Sequence, residues 1–340
     1  MIGDGDLRSV NGLRLPNLLI AGVPKAGTTS LFWYLSQHPD ICASRVKEPR
    51  YFWYPEKGEL AQPPLDRYAR CFGHCESERY VMEASPQYFK GGTRTIASVK
   101  ETLGDPRIIL MLRDPIERLY SAYRAIKSKM RLPKSINFDA YVAACQRVRD
   151  EHQPRTRENR PYYALASGFY IDYANVWLDA FGEDIRIWFF EDLVADPLYL
   201  VADICRWLGI DDQVVQSFRF SVENKSVMYR SGALQRLALG ANSDRLFRNR
   251  RRLKMPLRRI YYAINRAPNQ EEISDETKRR LQETFAESNV ALAKELRRRE
   301  YQRMPSWLGD DSVHVSAGAE RPAEGEGSLG VDDRDPAGSG

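Results

Sequence analysis

No apolar run in this chain approaches the ~20 residues that a membrane-spanning helix needs. Met1–Arg14 is polar and rich in Gly and Asp, unlike a secretory leader. The expectation is a soluble cytoplasmic protein. Cysteine is sparse as well: five residues, an odd number at irregular spacing, argue against a disulfide framework and for a reducing compartment. Cys71-Phe-Gly-His74-Cys75 has the composition of a zinc site, but no second Cys/His pair lies at a matching spacing to close it. Buried thiols beside a surface histidine are expected there, and no metal. Only four histidines occur, His38, His74, His152 and His314. His38, at a helix end before Pro39, reads as structural rather than catalytic.

What is present points to one large domain. A hydrophobic content of 43% supports a substantial core, and no low-complexity linker interrupts residues 15–240. Charge is unevenly spread. Residues 309–340 hold eight acidic side chains against two arginines, a net of −6, so the rest of the chain carries +11. That tail is rich in Gly, Ala, Pro and Ser with few large apolar residues and is expected to be disordered. The division is therefore an N-terminal arm at 1–14, a folded domain at 15–307 and an acidic tail at 308–340. The basic body suits a ligand bearing several negative charges. Residues 245–259 contain eight basic side chains and no acidic one. A solvated basic face, an anionic acceptor or lipid surface, and nucleic acid are the three readings of that segment. Pro256 interrupts a continuous helix, and nucleic acid is not the expected partner.

The densest information lies in residues 17–31. Leu18, Leu19, Ile20 and Ala21 form a short apolar run of the kind buried on both faces of a parallel sheet. Gly22-Val-Pro-Lys-Ala-Gly27 turns, and Thr28, Thr29 and Ser30 open a helix whose apolar face continues through Leu31 and Leu35. A glycine-bearing turn that feeds a helix N-terminus aims unpaired N–H groups at one point, which suits a phosphate. The spacing approaches the nucleotide-triphosphate loop Gly-x-x-x-x-Gly-Lys-Ser/Thr, with one departure. Thr28 stands where that loop has lysine, and the lysine here is Lys25, inside the loop. The apolar strand 108–112 ends in Arg113 rather than in an acidic metal ligand, although Asp114 follows.

Along the rest of the chain, strands are expected at 80–84, 108–112 and 185–190, with an extended piece at 41–43. Helices are expected over 115–129, 138–150, 168–181, 198–208 and 274–299. The stripe of Leu281, Phe285, Leu292 and Leu296 in the last helix is core packing. This alternation implies an α/β fold, a central parallel sheet flanked by helices, with ligands at the carboxyl ends of the strands.

Pro24-Lys-Ala-Gly-Thr-Thr-Ser-Leu31 resembles the 5′-phosphosulfate loop of sulfotransferases that use 3′-phosphoadenosine 5′-phosphosulfate (PAPS). Arg113-Asp-Pro-Ile-Glu-Arg-Leu-Tyr-Ser121 resembles their 3′-phosphate segment, about 90 residues further on and in the same order. The similarity extends through Lys47-Glu48-Pro49, Glu83-Ala-Ser-Pro-Gln-Tyr-Phe89, Gly168-x-Tyr170, Glu191-Asp-Leu-x-x-Asp-Pro197 and Trp207-Leu-Gly209. It covers roughly residues 15–307 and is greatest to the polysaccharide-modifying, heparan sulfate type branch and its bacterial relatives.

The resemblance implies a P-loop-like topology, PAPS as donor co-substrate and sulfuryl transfer to a hydroxyl or amine of a carbohydrate, glycolipid or small metabolite. It assigns the 5′-phosphosulfate to Lys25, Ala26, Gly27, Thr28, Thr29 and Ser30, the 3′-phosphate to Arg113 and Ser121, and a last cofactor loop to Lys225. Lys25 becomes the group that stabilises charge on the leaving oxygen. Glu48 matches the glutamate base of the polysaccharide branch, since none of the four histidines has the context of a catalytic one. Ala84 stands before Ser85 where that branch commonly has lysine, which puts heparan itself in doubt as the acceptor. The rivals are a P-loop-like small-molecule kinase, which would need a lysine after Gly27, and a non-catalytic nucleotide- or anion-binding module.

Overall fold

The computed structural model describes residues 9–53, 63–154, 156, 158–221, 228–243, 261, 264–267 and 271–309. The basic segment 245–259, Lys225 and the tail beyond residue 309 lie outside the described residues. In chain order the elements that place the site are β1 (Ser9–Val10), β2 (Leu13–Arg14), β3 (Leu18–Gly22), α1 (Thr28–Leu35), β4 (Ile41–Ala43), α2 (Leu65–Ala69), β5 (Tyr80–Ala84), α3 (Gly92–Leu103), β6 (Arg107–Leu112) and α4 (Pro115–Ser128). There follow α5 (Phe138–Asp150), α6 (Ile171–Phe181), β7 (Ile185–Phe189), α7 (Phe190–Ala195), α8 (Pro197–Leu208), β8 (Met228–Tyr229), α9 (Gly232–Ser243), β9 (Arg266–Ala267) and α10 (Asp275–Arg298). Residues 9–14, within the expected arm, pair as an antiparallel hairpin, and Arg14 Nη1 donates to the Glu76 carbonyl at 2.8 Å.

The central sheet has the order β4-β5-β3-β6-β7, and each of its pairings is parallel. β3 runs through its middle with Leu18, Leu19, Ile20 and Ala21 fully buried, which is why its sequence is a continuous apolar run rather than an alternating one. Register is tight around it: Ile20 lies opposite Ala84 on β5 and Ile109 on β6. The connection from β3 goes outward to β4, and the chain returns through β5 before crossing to β6. The strand order therefore reverses beside β3, and a crevice opens at the strands' carboxyl ends there.

Two apolar cores result. The larger surrounds the sheet. The smaller joins Ile116, Leu119 and Tyr123 of α4 to Phe138 and Tyr141 of α5, and to Leu165 and Phe169. Helix α10 bridges both. Leu281 and Phe285 enter the smaller core, while Leu292 and Leu296 enter the larger. Its period-3.6 stripe is thus a seam between two packing units.

Two expectations need correction. The helix expected over 168–181 begins only at Ile171, because Arg160–Gly168 is a 3-10 segment. Gly168 is pressed against the smaller core, where a Cβ would lie 2.7 Å from Phe285 Cε1. The second correction concerns the cysteines. Cys42 and Cys75 form a disulfide with Cα atoms 5.6 Å apart, leaving Cys71, Cys145 and Cys205 as thiols. Their sequence separation of 33 hides the pair. The parallel pairing of Cys42 with Val81 brings β4 beside the segment that leads into β5, and the sulfurs meet there. His74 Nε2 lies 3.6 Å from Cys42 Sγ, so the ligand atoms of Cys42, His74 and Cys75 are clustered, with the two sulfurs bonded to each other.

Protein unfolded in guanidinium without reductant should accordingly titrate three thiols, and five after reduction. Closing a loop of 33 residues should contribute about 3–4 kcal/mol to stability. A dithiol should therefore lower the urea midpoint, and a Cys42→Ser/Cys75→Ser variant should show that lowered midpoint without reductant.

Candidate active site

Three strand ends converge on the crevice. The loop after β3 is anchored when Val23 N–H donates to the Met111 carbonyl of β6 at 2.8 Å. Within it Lys25 takes φ 79° and Gly27 φ 76°, both in the left-handed region. At Gly27 glycine is required twice over, since a Cβ would also lie 2.7 Å from Leu193 Cδ2 and 2.8 Å from Phe190 Cδ2. Gly27 is the N-cap residue of α1 and provides no side-chain cap, so the positive end of the helix dipole at Thr28 and Thr29 faces the loop. Ala26 is placed differently from the sequence expectation for an open amide, because its N–H donates to the Val23 carbonyl at 3.2 Å.

β6 delivers Arg113 to the same point. Its Nη1 donates to the Lys25 carbonyl at 3.2 Å, and its guanidinium lies 4.3 Å over the Phe190 ring. An ion pair to Glu117 is longer, at 3.4 Å. The Arg113 backbone is fixed by Tyr170, whose hydroxyl donates to the Arg113 carbonyl at 2.7 Å. Asp114 caps α4, with Oδ1 accepting from Ile116 N–H at 2.7 Å and Glu117 N–H at 3.3 Å. Its own N–H donates to Glu191 Oε1 at 2.9 Å. Ser121 follows on α4, half-buried, two turns along.

Lys25 is enclosed by this arrangement. Burial, then the charges of Lys129, Arg113 and Arg124, lower its pKa to about 8. Arg124 and Lys129 belong to α4 and its C-cap, and the sequence motifs did not single them out. A four-residue period from Tyr120 or Ser121 would have placed them near that helix face, but only the packing of α4 against the loop brings them to Lys25.

β5 supplies the third side. Glu48 N–H donates to the Ala84 carbonyl at 3.1 Å, and Ser85 N–H donates to the Ile20 carbonyl at 3.1 Å. Glu48 therefore stands at the carboxyl end of the strand beside β3. Its carboxylate receives Lys47 Nζ at 3.2 Å and a hydrogen bond from Arg50 Nη2. Burial alone would raise its pKa, but the Arg50 hydrogen bond and the Lys47 and Arg50 charges outweigh that and hold it below the usual value. Both Glu48 (φ 61°) and Arg50 (φ 58°) are left-handed without being glycine.

The structure thus brings Arg113 onto the Lys25 carbonyl beside the α1 start at Thr28, with Ser121 two turns along α4 and Glu48 at the end of the strand beside β3. His38 is buried elsewhere, its Nδ1 accepting from Asp40 N–H at 3.0 Å and its Nε2 2.8 Å from the Asp211 carbonyl. Among the described residues no helix is long and apolar enough to cross a membrane.

A parallel sheet with a glycine-bearing loop at its reversal point, met by a second cation from the next strand, defines an α/β protein of P-loop-like topology. The family-level comparison is more specific. The sulfotransferase domain family model matches residues 15–250, and this chain belongs to that family. A bifunctional heparan sulfate N-deacetylase/N-sulfotransferase 2 from Bos taurus is 25% identical over 90% of this chain and 32% of its own length. A membrane-associated sulfotransferase, kil1, from Dictyostelium discoideum is 35% identical over 33% of this chain and 23% of its own. The chain thus spans about a third or less of the length of these relatives. A sulfotransferase crystal structure from Alicyclobacillus acidocaldarius shares the fold, with TM-score 0.60 and 24% identity over 86% of this chain and 98% of that one.

The lowered basicity of Lys25 gives a direct check. Amine-specific labelling of the free protein, followed by peptide mass, should rise for Lys25 with an inflection near pH 8. Exposed lysines should inflect about two units higher.

Proposed function

We propose that this chain is a PAPS-dependent sulfotransferase that transfers a sulfuryl group to a hydroxyl or amine of a carbohydrate, glycolipid or small metabolite. The observation that carries the reading is the contact of Arg113 with the Lys25 carbonyl. Two cations thus stand at neighbouring strand ends, beside the N-terminal end of α1, which suits a ligand with two separate phosphate groups. Arg113 and Ser121 would hold the 3′-phosphate, and Lys25 with the N–H groups of Thr28–Ser30 the 5′-phosphosulfate. Lys225 would complete the nucleotide site from a loop outside the described residues.

In the reaction the acceptor atom bonds to sulfur as the S–O bond to the 5′-phosphate breaks, and the electron pair leaves on that phosphate oxygen. Lys25 would neutralise the leaving charge, and its partial burial would strengthen that interaction. The acceptor's proton passes to Glu48. A carboxylate held below its usual pKa is a weak base toward a neutral alcohol. It suffices late in the transfer, when the oxygen bonded to sulfur has become strongly acidic. Asp114, the carboxylate that follows β6, is committed to capping α4, so this reading routes no step through a metal.

The Bos taurus relative bears heparan sulfate in its name, and a sugar acceptor fits that likeness. Ala84 before Ser85 argues for an acceptor other than heparan itself. The site and the basic segment 245–259 together suit an anionic acceptor surface.

Calorimetry should find adenosine 3′,5′-bisphosphate bound far more tightly than AMP. Arg113→Ala should remove roughly 10- to 100-fold of that preference, the value of a charge-assisted phosphate contact. Equal affinities of the wild-type protein for the two ligands would refute the 3′-phosphate assignment. Incubation with 35S-labelled PAPS and an extract of the host should label an acceptor in the presence of EDTA. Labelling that stops with EDTA and returns with magnesium would favour a kinase-like, metal-assisted chemistry.

A further inference from the structure

Next to Ala84, whose carbonyl accepts the Glu48 N–H, stands a second carboxylate, Glu83, fully buried on β5. Among the described residues no cation offsets its charge, and burial strongly disfavours the charged form of such a group. Its partners are hydroxyls. Tyr68 Oη donates to Oε1 at 2.9 Å, and Ser85 Oγ donates to Oε2 at 3.0 Å. Ser85 Oγ in turn accepts the Arg50 N–H at 3.1 Å. The segment between is pinned on both sides of that contact. Glu48 N–H reaches the Ala84 carbonyl at 3.1 Å, and Phe52 N–H reaches Tyr88 Oη at 3.2 Å.

The backbone these bonds hold is the one that needs holding. Glu48 and Arg50 are both left-handed, a conformation that strains a non-glycine residue and persists only where its surroundings enforce it. Arg50 also donates to the Glu48 carboxylate, so the same turn sets the base's position and its charge partner. We infer that Glu83 is a positioning residue of the transferase: acting through the Ser85 hydroxyl, it locks the turn that presents Glu48 to the acceptor. The inference rests on the reading of Glu48 as the base.

Polarity follows from the direction of the chain. While Glu83 is ionised it can only accept, so the Ser85 hydrogen points at it and leaves the Ser85 lone pairs to Arg50 N–H, each bond strengthening the next. Burial, opposed by hydrogen bonds from Tyr68, Tyr88 and Ser85, raises the Glu83 pKa to about 7. The other titratable groups facing it stay neutral in this range. Tyr68 and Tyr88 are driven well above 10, and Cys71 is raised by burial and by Glu83 itself. Protonation turns Glu83 into a donor toward Ser85 and displaces the Ser85 hydrogen from its place in the relay. Turnover should therefore fall as pH drops through about 7. Glu48, held below the usual carboxylate range, remains ionised there.

The test uses the full-length protein, 35S-labelled PAPS at saturation and the acceptor fraction labelled from host extract. Glu83→Gln should lower kcat about 10- to 100-fold while adenosine 3′,5′-bisphosphate affinity stays within two-fold of wild type. Glu83→Gln added to Glu48→Gln should cost nothing further, because the relay then has no base to position. Ser85→Ala, which leaves Glu83 in place, should reproduce the kcat loss and abolish the acid limb near pH 7. It carries the test should Glu83→Gln fail to fold. Wild-type kcat in Ser85→Ala, multiplicative losses in the double variant, or an acid limb that survives Ser85→Ala would each overturn the positioning role. Wild-type turnover in Glu48→Gln alone would instead remove the base itself, and this inference with it.

Discussion

The site depends on the parallel pairing of β3 with β6. Parallel strands put all their carboxyl ends on one edge, and a loop leaving the central strand can be tied to its neighbour before it turns. Val23 N–H does so by donating to the Met111 carbonyl, one residue past the β3 end. With that bond in place the loop has little freedom. Lys25 and Gly27 take left-handed backbone, and α1 starts on uncapped N–H groups. Arg113 lands where its guanidinium can support the Lys25 carbonyl. Phe190 and Leu193 of α7 close the far side so tightly that Gly27 admits no side chain. A slip of one residue in this register would take Val23 N–H off the Met111 carbonyl and move Lys25 away from Arg113.

Electrostatically the loop after β3 concentrates positive charge. Burial, and then the charges of Lys129, Arg113 and Arg124, lower the Lys25 pKa to about 8. Such crowding of like charge opposes folding, and any bound anion would relieve it. Glu48 presents the opposite case, a carboxylate between Lys47 and Arg50 whose hydrogen bonds and charges hold its basicity down. Glu83, without a cation, stays near the point of protonation. Three ionisable groups at adjacent strand ends therefore titrate in three different ranges, because each has different neighbours.

Much of this was legible from residue order. The apolar run Leu18–Ala21, the Gly22–Gly27 turn and the Thr28 start of α1 are local features, and the structure follows them closely. So are the boundaries of α5 at Phe138–Asp150, which Asn137 caps, and of α10 at Asp275–Arg298, which Ser274 caps. The late start of α6 was hidden because Gly168 answers to Phe285, more than a hundred residues away. Counting cysteines failed for a similar reason. An odd total says nothing about Cys42 and Cys75, which meet only once β4 lies against β5.

What the sequence by itself determined is whatever depends on neighbours within one turn of chain: a buried strand, a lysine inside a phosphate loop, an arginine at a strand end, and helix caps. Hydrogen bonding and backbone conformation over a few residues suffice for these. Only the tertiary structure decided that Arg113 supports the Lys25 carbonyl, that Arg124 and Lys129 crowd the same lysine, and that Asp114 is occupied as a cap. It also placed Glu83, through Ser85, under the turn that carries Glu48. Those relations join residues on different strands and helices, and their energies depend on distance and burial, which residue order alone does not contain.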